Sequence, residues 1–185
     1  EKLVNSINST YYRNSMHGVS TSLLEQQAII LGLPLQKLLM ADQPTMADYN
    51  IAIAKTTKDL YDDGFTHAIF GDIFLEDLRK YREDRLAEQN LTAHFPLWKR
   101  DTTELVHEFI DLGFKTITVC VKSELLDESF AGRIIDKDFL KDLPPNVDPC
   151  GENGEFHTFV FDGPIFKESI GYTIGEKILR EYQAP

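Results

Sequence analysis

Cysteine is scarce in this chain, with two in 185 residues: Cys120 inside the apolar run 116–121 and Cys150 in a turn-rich loop. Such a pair gives neither a disulfide framework nor a paired zinc knuckle, and it points to a reducing, cytoplasmic setting. Long apolar runs are also lacking. No stretch approaches the ~20 residues that a helix needs to cross a bilayer, and no charged-then-apolar leader opens the chain, so the sequence reads as soluble. Positive charge is in deficit: 19 Lys and Arg stand against 30 Asp and Glu, for a formal net charge of -11. Neutralising phosphates takes clustered basic residues, so coating nucleic acid is excluded and only a small local basic site stays open. What is present is 42% hydrophobic and 11% aromatic, enough for a core without staples in one large domain or two small ones.

The first half alternates short strand-like runs with helical periodicity, the pattern of a parallel sheet covered by helices, and so of an α/β fold. Residues 3–9 and 35–40 read as strands. Between them Leu24, Ala28 and Leu31 fall at helical spacing, and Gly32 with Pro34 stops that helix. Thr45 and Asp48 form a capping-box start for a second helix, whose apolar stripe of Met46, Tyr49, Ile53 and Leu60 ends at Gly64. Residues 66–70 give a strand that runs through Gly71-Asp72 into a helix carrying Leu75, Leu78 and Leu86, and 90–95 gives another strand. Asp101 and Glu104 cap a helix with Leu105, Phe109 and Leu112 inward, and a strand follows at 115–121. From Lys122 onward the alternation is lost and prolines and glycines punctuate short segments, which indicates a smaller α+β domain. The boundary is placed after Trp98, giving domains 1–98 and 99–185.

The chemistry concentrates in Asp148-Pro149-Cys150-Gly151-Glu152-Asn153-Gly154-Glu155-Phe156-His157-Thr158. Two glycines permit positive φ, so Glu152, Asn153 and Glu155 can be aimed at a ligand; equally, the stretch can be an acidic loop that caps its own backbone. Gly71-Asp72 lies where a strand hands over to a helix, the place where open α/β sheets bind ligands, although a helix N-cap is the ordinary role of such an Asp. Asp72, Glu76, Arg79 and Glu83 fall on one helix face, by default a surface ion-pair ladder. His17 with Gly18 sits after the first strand, a weak signal for a lone loop histidine. His67, His94 and His107 show no metal-ligand spacing. A Cys150–His157 nucleophile is disfavoured because neighbouring carboxylates raise a thiol pKa. A metal site from Asp148, Glu152, Glu155 and His157 is chemically open and would suit magnesium better than zinc.

Taken together, Met16-His17-Gly18-Val19, Phe70-Gly71-Asp72-Ile73, Phe95-Pro96-Leu97-Trp98, Gly132-Arg133, the tract 151–158 and Asp162-Gly163-Pro164 resemble the diphthine–ammonia ligase family in order and spacing. The resemblance implies a Rossmann-like PP-loop domain of the HUP type that binds adenine nucleotide, followed by a smaller α+β domain enclosing a second substrate. It implies an ATP-dependent ligase, with Mg2+ accompanying ATP, that adenylates a carboxylate, releases AMP and pyrophosphate, and lets ammonia form the amide. The implied carboxylate is diphthine on elongation factor 2, or in bacterial relatives another acid; no nucleic acid or membrane is implied, and a homodimer stays open. Carried onto this chain, Glu152, Asn153, Glu155 and His157 would be catalytic, His17, Gly18, Gly71 and Asp72 would bind nucleotide, and Glu76, Arg79 and Arg133 would bind substrate. No dedicated metal ligands are implied. The family's phosphate-gripping tract, of the Ser-Gly-Gly-Lys-Asp-Ser kind, does not occur in these residues, and the expectation is that it belongs upstream of Glu1. Two rival functions stand beside the ligase: a non-catalytic nucleotide-binding or regulatory module, and a metal-dependent hydrolase built on the acidic loop.

Overall fold

In the computed structural model, residues 1–14, 18–41 and 44–179 are described. The architecture is α/β. Strand β1 (Leu3–Asn8) pairs antiparallel with the two-residue β2 (Arg13–Asn14) and parallel with β3 (Leu35–Met40), in the register Leu3↔Leu35 through Asn8↔Met40. A parallel pair needs a crossover, and α1 (Thr21–Leu31) supplies it. Ser20 caps its start by accepting from the Leu23 N–H, and Gly32 closes it at φ 71, the left-handed conformation that favours glycine.

Helix α2 (Met46–Asp62) begins at the expected capping box, Thr45 and Asp48 bonding each other's backbone N–H groups. Its expected apolar stripe is only half covered: Met46 is exposed, and the fully buried positions are Thr56 and Thr57. The Thr57 hydroxyl can be buried because it donates to the Ile53 carbonyl within the helix. Strand β4 (His67–Ile69) then pairs parallel with β5 (Thr92–His94) across α3 (Glu76–Ala87). Both strands are shorter than the runs suggested.

Helix α4 (Thr102–Asp111) is capped by Asp101, which accepts from the Glu104 N–H as anticipated. Leu112 is exposed rather than inward because it is the residue that ends the helix, and Val106 takes the buried place. Strand β6 (Lys115–Val121) pairs antiparallel with β7 (Phe156–Asp162), and α5 (Lys137–Asp142) lies in the long connection between them.

Two apolar clusters hold these parts. One joins Val106, Leu126, Phe130, Ile135, Phe139, Val147 and Phe156, with Phe139 set edge-on against Phe130 and Phe156 at 5.5 and 5.7 Å between ring centres. The other packs Val19 and Ile30 against Ile117, Phe159 and Ile170, and so seats α1 on the β6–β7 sheet. The Gln27 amide adds a bond to the Val160 carbonyl at 2.5 Å.

Candidate functional site

The segment 148–155 feeds directly into β7, where Cys120↔His157 and Val121↔Phe156 continue the ladder and Lys122 N–H bonds the Glu155 carbonyl at 2.8 Å. Its shape comes from its own polar groups. Asp148 Oδ1 accepts from the N–H groups of Cys150 (2.9 Å) and Glu152 (3.3 Å), and the Asp148 carbonyl accepts from Gly151 N–H at 2.9 Å. Gly151 sits at φ 70, and a Cβ there would meet the Phe156 carbonyl oxygen at 2.8 Å, so conformation and close approach both require glycine.

Glu155 is 3% exposed and turned into the bend. Its carboxylate accepts from Asp148 N–H, Asn153 N–H and the Asn153 side-chain amide, each at 3.0 Å. Burial alone would raise its pKa, but these donors outweigh burial and hold the carboxyl below its usual range. The loop that caps its own backbone and the loop that aims an acid outward thus coexist, on different residues.

Glu152 points the other way. Its Oε1 accepts from the Ile73 N–H at 2.5 Å, 79 residues away in sequence. The Ile73 carbonyl in turn accepts from Lys99 N–H at 2.7 Å. One buried residue therefore ties three segments together: the turn after β4, the Phe95–Lys99 stretch and the acidic bend.

Asp72 does not cap α3, whose N-cap is Leu75 without a side-chain bond. The turn is longer than the strand-to-helix handover suggested, and Asp72 pairs with Arg82, Nε to Oδ2 at 2.9 Å, while the Arg82 guanidinium lies 4.5 Å from the Phe70 ring centre. Gly71 is exposed, with nothing within 4 Å of where a Cβ would stand. Gly18 is exposed at φ 69, its carbonyl accepting from Arg13 at 2.7 Å, and His17 lies outside the described residues.

The ladder on α3 is partly as expected: Arg79 bonds Glu83 at 2.8 Å, whereas Glu76 reaches Lys99 at 3.1 Å. Arg133 pairs with Asp142 and lies over Phe130 and Phe139, so its charge is engaged away from the acidic bend and the Gly71 turn. His157 is half-buried on β7, and burial lowers its pKa. The Cys150 thiol donates to the Thr102 carbonyl at 3.2 Å, not to His157. Burial first, then the carboxylates of Asp148, Glu152 and Asp101, push this thiol up to about 12, which leaves it without thiolate character near neutrality.

Among the described residues no three His, Cys, Asp or Glu side chains gather as a metal cage. Oδ1 of Asp148 and both oxygens of Glu155 already accept from N–H groups of the loop. Sequence reasoning quoted Ile73 and Trp98 only as parts of motifs, without a site role, and missed Lys99, the third residue at the junction. Ile73 contributes through its backbone and Lys99 through a φ of 60, neither of which side-chain type announces.

The molecule is thus an α/β protein whose acidic bend is bonded to a turn at a strand's carboxyl end. Residues 101–183 match the family model of the diphthamide synthase C-terminal domain. The diphthine–ammonia ligase of Bos taurus is 31% identical over 102 residues, covering 52% of this chain and 38% of that protein. The Homo sapiens protein of that name is 28% identical over 116 residues, 60% and 43% of the two chains, and the Danio rerio one 26% over 169 residues, 83% and 66%. The chain is thus similar, over its C-terminal part above all, to the diphthine–ammonia ligases. Its match spans about two fifths of the bovine and human proteins.

Proposed function

We propose that this chain carries the joined nucleotide and acid-binding halves of an ATP-dependent carboxylate–ammonia ligase, residues 1–98 serving the adenine nucleotide and 99–185 the acid. The supporting observation is the Glu152–Ile73 hydrogen bond, which brings the acidic bend against the turn that follows β4. A carboxylate is a poor acyl donor; bound ATP would supply the phosphorus to which its oxygen is bonded, with pyrophosphate leaving then and AMP leaving when ammonia takes the acyl group. The chain's own part is to position and to handle protons. Gly71 leaves an open backbone edge at the turn, and Asp72 is fixed by Arg82 beside it. Glu152 uses one oxygen to anchor the turn, which leaves Oε2 to accept a proton from ammonium as the amide forms. Glu155 acts as a positioning residue, holding Asn153 and Asp148 so that Glu152 faces the turn. His157 is neutral at physiological pH, since burial disfavours its cation.

The reading needs a phosphate-gripping tract, which the 185 residues do not contain, so the assay belongs on the complete encoded protein. Pyrophosphate release is measured with ATP, ammonium and candidate acids, including diphthine on elongation factor 2. The expected outcome is release that requires both the acid and ammonium. ATP binding with silence across every acid would favour the regulatory module instead.

A further inference from the structure

A cleft of about 210 Å³ opens on α3, walled by Glu76, Arg79, Lys80, Glu83 and Trp98. Most of its charges are already partnered: Lys80 by Asp84 at 2.9 Å and Glu76 by Lys99 at 3.1 Å. Arg79 differs. Its Nε donates to Glu83 at 2.8 Å, and its guanidinium carbon lies 4.6 Å from the Trp98 ring centre and 5.0 Å from that of Phe95. Its two Nη groups have no partner among the described residues. A guanidinium pinned by a carboxylate and laid on two rings has lost rotamer freedom before any ligand arrives. Its free edge is then a preformed fork, matched to the two oxygens of a carboxylate.

We propose that this cleft recognises the carboxylate group of a small organic acid, through two parallel bonds from the Nη edge of Arg79 beside Trp98. That the acid is the one amidated rests on the ligase reading; the binding does not. Position supports the link, because the residue after Trp98 bonds the Ile73 carbonyl while Glu152 takes the Ile73 N–H. The lining pairs two acids with two bases, so a triphosphate, with more charge than one guanidinium edge can match, finds no excess of positive charge there.

Trp98 is the only tryptophan of the 185 residues, so its fluorescence reports on the cleft. The experiment titrates the protein with succinate at fixed ionic strength and without nucleotide, using succinamide and inorganic phosphate as controls. Succinate should give a saturable change, weakened at least about tenfold in both Arg79→Lys and Arg79→Gln, because a lysine lacks the fork. Glu83→Gln, which only loosens the guanidinium, should weaken it less. An equal response to succinamide or to phosphate would overturn the proposal, as would an unchanged titration in Arg79→Gln. Should the Arg79 variants fail to fold, the guanidinium NMR signals of Arg79 in the unaltered protein decide: succinate must shift them, and static signals refute the site. The two readings separate cleanly. Succinate binding with no acid yielding pyrophosphate sinks the ligase and keeps the cleft; no succinate binding with pyrophosphate release whose KM for the acid is unmoved in Arg79→Lys sinks the cleft and keeps the ligase.

Discussion

The two ends of this molecule are built to different standards of closure. Around β6 and β7, one cluster of seven buried apolar residues lies wholly within 106–156, and its polar connections are bonded in place, Thr118 alone bridging to the Phe130 and Arg133 carbonyls. The earlier part instead holds its strands in two ladders, β2-β1-β3 and β4-β5, which share no hydrogen bond among the described residues. His67, Ile69, Thr92 and His94 alternate onto one face of the β4–β5 pair and are all exposed. Parallel sheets are ordinarily covered on both faces. The difference teaches where rigidity resides: the acidic bend grows out of the closed part, and the turn it bonds belongs to the open one.

The strongest test of that contrast is Phe139→Ala. Phe139 is 0% exposed and wedged between two rings, so its truncation should leave a cavity costing about 3–5 kcal/mol. Denaturant unfolding would measure it. A loss under ~1 kcal/mol, the average for any point mutation, would mean that the cluster is not the stabilising core claimed for it.

The parts of the fold that could be read in the sequence are those set by local physics. The Thr45–Asp48 capping box, the Asp101 cap and the Gly32 stop were legible because each is decided within four residues. The failures are tertiary. Leu112 and Met46 fit an apolar stripe, but no neighbour covers them. At the site, the bend itself stood out by composition, whereas the division of labour within it did not. Glu152 and Glu155 are alike in sequence, and only the fold turns one inward onto Asn153 and the other outward onto Ile73. The resemblance put both acids in one set for the same reason. Arg133 was legible as part of a motif, but its partners Asp142, Phe130 and Phe139 depend on packing that no short motif encodes.

Glu155 carries the next effect. In Glu155→Gln the amide nitrogen meets loop donors in place of an acceptor, and the loss should be about 1–3 kcal/mol. The pH dependence has a definite sign. Glu155 has a folded pKa below its ordinary 4.5, and Asp162, bonded by Lys115 and Ser169, sits at about 2 against an ordinary 3.8. Depressed carboxylates stabilise fully above their unfolded values and lose that contribution as pH falls through the folded ones. Stability should therefore decline below about pH 4.5, and less steeply in Glu155→Gln. His157 works in the same direction higher up: buried and neutral, it binds its proton more readily when unfolded, which begins to cost stability below its ordinary 6.5. Thermal unfolding from pH 7 to 3 checks all three, and a flat profile would contradict the buried carboxylate.

The smallest effect is expected at Ile69, and it is the most informative about the open face. Ile69 is 74% exposed, so Ile69→Ser removes almost no buried area and should change stability by less than ~0.5 kcal/mol. The measurement is best made at two protein concentrations. A loss comparable to that of Phe139→Ala would show that the face is covered in the molecule as it exists in solution. If the loss grew on dilution, the cover would be another copy; if it did not, the cover would come from within the same polypeptide. In either case the contrast between the two ends would belong to these 185 residues and not to the working protein, and the Gly71 turn would be as firmly backed as the bend that bonds it.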